Sequence, residues 1–255
     1  MPPLAFDITL AAIGGLCLGS FLNVVAYRLP VGASLLAPRS ACPGCGAAIQ
    51  PYDNVPVLSW LMLRGHCRSC HSAISPRYPL TEALTGGLFA AIVLARGTGR
   101  AIWLDLIFVG ALVAITRIDL EHRIIPNRIT GPLAITALAL TALLEPHQLP
   151  ERLLAAAAAG GAFALIVFLY PAGMGMGDAK LVAVMGLVLG SAVAPALLVA
   201  LIAGTVVGIG VMIRRGVSRG RRTAVAFGPF LALGAVVALF AGPAMVNIYL
   251  HAVRL

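Results

Sequence analysis

The stretch LLAAAAAGGAFALIVFLYPAGMGMGDAKLVAVMGLVLG, residues 153–190, decides the class of this fold. It opens on an almost unbroken apolar run, and a second apolar run begins at Leu181. Between them stand glycines at alternate positions (Gly173, Gly175, Gly177), then Asp178 and Lys180. About 20 apolar residues cross the hydrocarbon of a bilayer, so the stretch reads as two membrane helices around a short polar joint. The whole chain agrees: of 255 residues, 60% are hydrophobic and 11% charged, with mean hydropathy +0.98. A soluble domain is about one quarter charged. The composition therefore predicts an all-α membrane protein and excludes a soluble globular enzyme.

Further apolar segments place eight spans near 4–27, 79–96, 101–118, 129–146, 152–171, 179–191, 192–213 and 224–250. The first follows no basic residue and shows no small-x-small cleavage site, so it is expected to be a retained span and not a removed signal peptide. With the N-terminus outside, the connections 28–78, 119–128, 172–178 and 214–223 face the cytoplasm. That face collects Arg28, Arg39, Arg64, Arg68, Arg77, Arg117, Arg123, Arg128, Arg214, Arg215, Arg219, Arg221, Arg222 and Lys180. The other keeps Arg96, Arg100, Arg152 and Arg254. This bias is the positive-inside pattern. It accounts for the net charge of +9 without a nucleic-acid partner. Gly15/Gly19, Gly186/Gly190 and Gly204/Gly208 are spaced for close helix approach in lipid. No internal repeat of the transporter kind is visible.

Residues 28–78 break the apolar pattern. They hold Cys42-Pro-Gly-Cys45 and Cys67-Arg-Ser-Cys70, separated by 21 residues. Two such knuckles suit a structural zinc ion held by four thiolates, one ion in all. A disulfide framework is the rival, disfavoured for a loop expected in the reducing cytoplasm. His66 and His71 flank the second knuckle and are expected to be bystanders. The domain reading is thus a first helix (1–27), a tetracysteine zinc loop (28–78) and a membrane core (79–255).

The chain has nine carboxylates. Asp7, Asp105, Glu145 and Glu151 are expected at solvated helix ends on the outer face. Asp53 is expected to cap or turn beside Asn54 and Pro56, and Glu82 sits near the start of the second span. Asp119, Glu121 and Asp178 remain, all at cytoplasmic ends. Asp119 and Glu121 are about 200° apart around a helix, so only one can face a given partner. If the third and sixth spans pack together, Asp119 and Asp178 can meet and share a proton, because adjacent carboxylates resist double ionisation. One then acts as base on water and the other as acid, the chemistry of an aspartic protease. Two independent helix caps are the plainer alternative. A proton- or cation-coupled transporter would explain intramembrane acids but leaves the cysteines unused. Gly175 and Gly177 would let the backbone unwind beside Asp178 and admit an extended substrate. Lys180 is expected to snorkel to the interface.

The motifs GSFLNVVAYRLP (19–30), DNVPVLSWLMLRGHCRSC (53–70), ISPRYPLTEALTG (74–86), IDLEHRIIPNRIT (118–130), GMGDAKL (175–181) and FGPFLALG (227–234) resemble, in order, those of the prepilin peptidases. These are also called type IV leader peptidases, and many are bifunctional peptidase/N-methyltransferases. The resemblance implies a multi-pass bacterial inner-membrane aspartic protease of the Gly-x-Gly-Asp type. Its substrates would be prepilins and type II secretion pseudopilins, cut on the cytoplasmic side after the glycine that ends a short basic leader. The family's two aspartates fall on Asp119 and Asp178. The cysteine loop is typical of the branch that also methylates the new N-terminal residue with S-adenosylmethionine. No glycine-rich nucleotide loop marks a site for that donor. Arg117 departs from the apolar residue usual in the family at that position, and the helical spacing sends it away from Asp119 toward the interface.

Overall fold

A computed structural model describes residues 4–100, 102–171, 174–216 and 226–253. Gly173, Arg219, Arg221, Arg222 and Arg254, which entered the sequence reading, lie outside the described residues. Those described are helical, with only two isolated β-bridges. The helices are α1 (Leu4–Arg28), α2 (Leu58–Met62), α3 (Arg77–Arg96), α4 (Ile102–His122), α5 (Asn127–Leu144), α6 (Leu149–Leu169), α7 (Met176–Leu189), α8 (Val193–Arg215) and α9 (Gly228–Val253).

The eight long helices coincide with the eight expected segments. By length and composition alone, five stretches of the described residues can cross a membrane, or six if the bent pair Gly228–Gly242 and Ala244–Ala252 is one span. Two features make this count smaller than eight. Helices α7 and α8 belong to a single apolar stretch, Met176–Arg214, interrupted where Gly190 adopts φ +58. Helix α4 carries Asp105, Arg117, Asp119 and Glu121, which lower its apolar character.

The chain divides into two compact units, Met1–Ile102 and Trp103–Leu255. In the first, α1 packs along α3. Gly15 and Gly19 make this contact possible: a Cβ at Gly15 would lie 2.7 Å from the Thr85 carbonyl oxygen, and one at Gly19 2.7 Å from the Glu82 Cα. Glu82 is buried, at 8% exposure, and its Oε2 accepts the Val57 N–H at 2.7 Å. It thereby ties the loop before α2 to α3.

In the second unit α7 packs on α6 and α5, and α8 on α9. A Cβ at Gly186 would lie 2.6 Å from the Ala156 backbone, so the α6–α7 approach depends on that glycine. The third predicted pair behaves differently, because a Cβ at Gly208 would meet nothing within 4 Å. Three of the carboxylates expected at solvated helix ends, Asp105, Glu145 and Glu151, are buried or have protein partners. Arg152 donates to Thr141 Oγ1 at 2.9 Å, Glu145 Oε2 at 2.7 Å and Gln148 Oε1 at 2.6 Å. Glu151 Oε1 accepts the Ser191 N–H at 3.0 Å, and Asp105 is buried. Long basic and acidic side chains at apolar helix ends find one another more cheaply than they find water.

Candidate active site

Asp119 stands in the last turn of α4, directly after the fully buried Ile118, and is itself only 5% exposed. Its Oδ2 accepts the N–H of Gly228, the first residue of α9, at 2.9 Å. The Arg123 charge lies within Coulombic reach of it. Asp178 sits in the first turn of α7, half-buried. Its Oδ2 accepts the N–H of Gly175 at 3.2 Å, as an acidic third residue does when it caps a helix. Across 59 positions of sequence, the Asp119 charge lies within Coulombic reach of Asp178. The capping and pairing readings of Asp178 are compatible, because capping commits one of its two oxygens.

The flanking glycines divide their work. Gly175 is extended, with φ −86 and ψ 150. A Cβ there would meet only Asp178 Oδ2 and the Gly177 nitrogen within 4 Å. At Gly177 a Cβ would lie 3.0 Å from the Ile125 Cβ, so that glycine serves packing on the α4–α5 link and leaves no open path. Two side chains expected at the interface have protein partners. Lys180 Nζ donates to Asn127 Oδ1 at 2.9 Å, joining α7 to the start of α5. Arg117 pairs with Glu121 at 2.9 Å and its side chain is 16% exposed, because a partner one turn along the helix is available.

Four of the five cysteines of the first unit also converge. The sulfurs of Cys42, Cys45, Cys67 and Cys70 all lie within 4.8 Å of one another, and Cys42 and Cys70 are 3.8 Å apart. A tetrahedral zinc with bonds of about 2.3 Å has sulfur edges of about 3.8 Å, so the cluster fits one ion. The knuckles share a geometry. Cys42 N–H donates to Ala47 O and Cys67 N–H to Ser72 O, each at 2.9 Å. The residue after each second cysteine, Gly46 or His71, has a left-handed φ of +72 or +56. Ser72 Oγ lies 3.5 Å from Cys42 Sγ and 3.2 Å from Cys70 Sγ. Its hydroxyl, with the Cys45 and Gly44 amides, holds the Cys42 thiol down at about 6. His66 Nδ1 sits 2.7 Å from Arg64 O, outside the cluster. Asp53, expected to cap its own turn, instead receives a forked pair of bonds from Arg68 Nε and Nη2 at 2.6–3.0 Å. That bonding holds its carboxyl below the usual range.

The family model "Bacterial Peptidase A24 N-terminal domain" matches residues 13–96, which include all four cysteines. The model "Type IV leader peptidase family" matches residues 106–212, which include Asp119 and Asp178. Three relatives carry the name prepilin leader peptidase/N-methyltransferase. That of Aeromonas hydrophila is 34% identical over 95% of this chain and 93% of its own. That of Bacillus subtilis is 33% identical over 95% and 98%. That of Myxococcus xanthus is 40% identical over 79% of this chain, but the match spans 62% of that protein. The chain belongs to the type IV leader peptidase family. No solved structure matches the chain significantly.

Membership makes the chain a peptidase. Two residues of this leader peptidase escaped the reading of its sequence. Gly228 contributes only a backbone N–H; the signal at hand was its place in FGPFLALG, a glycine directly before a proline. Ser72, two residues past Cys70, matches no ligand pattern because it touches sulfur and not metal.

Proposed function

We propose that this leader peptidase is an aspartic endopeptidase whose catalytic residues are Asp119 and Asp178. One carboxylate takes a proton from water as it attacks the scissile carbonyl carbon. The protonated partner donates its proton to the carbonyl oxygen, and the tetrahedral species collapses as the leaving amine is protonated. What supports this reading is that two carboxylates from different helices lie within Coulombic reach of one another, each with one oxygen held by a backbone amide. The open space at Gly175 suits an extended peptide beside Asp178.

The substrates are prepilins and type II secretion pseudopilins, cut after the glycine that ends a basic leader. The protein lies in the bacterial inner membrane with its N-terminus outside and the aspartates at the cytoplasmic face; the excess of Arg and Lys on that face supports this orientation. The tetracysteine loop holds one zinc ion through Cys42, Cys45, Cys67 and Cys70, and the ion, when bound, clamps the two knuckles together. The new N-terminal residue is then methylated, with S-adenosylmethionine as donor, as the relatives' names suggest. The described residues offer no recognisable cradle for that donor, and no residue is assigned to it. Purified protein with a prepilin peptide tests the proposal. Asp119→Asn and Asp178→Asn should each lower kcat at least about 1,000-fold; cleavage at the wild-type rate by both would refute it. Labelled methyl donor should transfer to the cleaved peptide, and no transfer would restrict the activity to proteolysis.

A further inference from the structure

We propose that Gly228 is a positioning residue for Asp119: its backbone amide aims the carboxylate, and the position must lack a side chain for it to do so. This rests on the aspartic reading above. Gly228 opens α9 and donates to Asp119 Oδ2 at 2.9 Å across 109 residues of sequence, in a buried contact. A Cβ at this position would lie 2.8 Å from that same oxygen, 3.2 Å from Cγ and 3.3 Å from Cβ of Asp119. Those distances are well inside van der Waals contact, so any other residue forces the carboxyl or the start of α9 to move by roughly half an ångström. Asp119 is 5% exposed, so bulk solvent does not make up for a lost bond to Oδ2. Pro229 follows, and its missing N–H costs nothing in the first turn of a helix. The amide that does the aiming is therefore the one α9 does not need for its own ladder.

The consequence is chemical. Oδ2 of Asp119 is committed to Gly228, and Oδ2 of Asp178 to Gly175. Oδ1 of each is left to hold the reacting water or the shared proton. A backbone donor at a helix start neither rotates nor titrates, so it fixes which oxygen faces the reactant without adding a charge.

The test uses the purified full chain in lipid nanodiscs and a synthetic peptide with a basic leader, glycine and the start of a hydrophobic helix. Gly228→Ala should lower kcat on the order of 100-fold, with KM within about threefold. Because alanine also crowds α9, a second variant carries glycolate at position 228. It exchanges the N–H for an ester oxygen and adds no bulk. Its kcat should fall on the order of 10- to 100-fold, as expected for losing a hydrogen bond to a charged group, with KM and melting temperature close to wild type. A folded ester variant with wild-type kcat overturns the inference, as does a loss expressed in KM alone. If Asp119→Asn is inactive while both Gly228 variants are not impaired, the inference fails and the aspartic reading stands. If Asp119→Asn cleaves normally, both fall.

Discussion

Replacing Cys70 by serine tests the metal site most directly. The Cys42–Cys70 sulfur pair is 3.8 Å apart, already the length of a tetrahedral zinc–thiolate edge. No pair exceeds 4.8 Å, so the knuckles need close by about 1 Å at most around the ion. Structural zinc sites bind with apparent free energies of about 10–16 kcal/mol, and one of four ligands carries roughly a quarter, about 3 kcal/mol. Cys70→Ser should therefore bind zinc on the order of 100-fold more weakly. Wild-type protein purified under reducing conditions should carry about one zinc per chain by mass spectrometry of the metal, and competition with a chromophoric chelator should give the ratio. Two controls separate the ligands from their surroundings. His66→Ala should retain the metal, since that ring bonds to the Arg64 carbonyl. Ser72→Ala should cost about tenfold, as the loss of a ligand's hydrogen-bond partner does. Metal content near zero in the wild type, or equal affinity in Cys70→Ser, would refute the four-thiolate assignment.

Two substitutions probe the second unit. Gly186→Leu drives a side chain into the Ala156 backbone, 2.6 Å from where its Cβ would stand, and should cost about 3 kcal/mol or more. Its melting temperature in detergent should fall by several degrees, while Gly208→Leu, which meets open space, stays near wild type; equal melting would refute the packing argument. Lys180→Met removes the exposed bond to Asn127, worth about 1 kcal/mol or less, and should slow peptide cleavage up to about fivefold. The double variant with Asn127→Leu should be no slower than either single one, and additive losses would show that the contact does not couple the two residues.

Much of this architecture was legible because charge is scarce in an apolar chain. Each long helix is an apolar run bounded by Gly, Pro or Arg, and each boundary fell within a few residues of its expected place. Asp119 and Asp178 stood out for the same reason, and the cysteine spacing carried the metal cluster. The hidden contacts were of two kinds. Gly228 and Val57 act through backbone amides, which every residue has and no side-chain pattern marks. Arg117, Glu145, Lys180 and Asp53 were given to the interface, to water or to a local turn because sequence spacing cannot show the partner another helix or loop supplies. For Arg117 the partner was in view at Glu121, one turn along. A side chain at a membrane boundary takes water when nothing better is offered, and here packing offered Glu121, Arg152, Asn127 and Arg68.

The partners chosen around the two aspartates bear on what the site can do. A carboxylate locked to an arginine stays an anion and cannot alternate between base and acid. One held by a neutral amide keeps its geometry in either protonation state, and its proton can still move to its neighbour. Arg117 is the basic residue nearest in sequence to Asp119 on α4, and Glu121 holds it on another face. Lys180 stands two residues past Asp178 and is held by Asn127. These two cations are thus engaged by partners outside the pair, Arg123 acts on Asp119 through its charge, and Gly228 and Gly175 supply the hydrogen bonds. The separation follows from the helical period: residues two apart lie on nearly opposite faces, so α4 and α7 can each carry a cation close in sequence and keep it away from the carboxyl. A polar joint between apolar runs can tie helices together on one face and present a carboxylate held by a neutral amide on the other, and the helical period keeps the two uses apart.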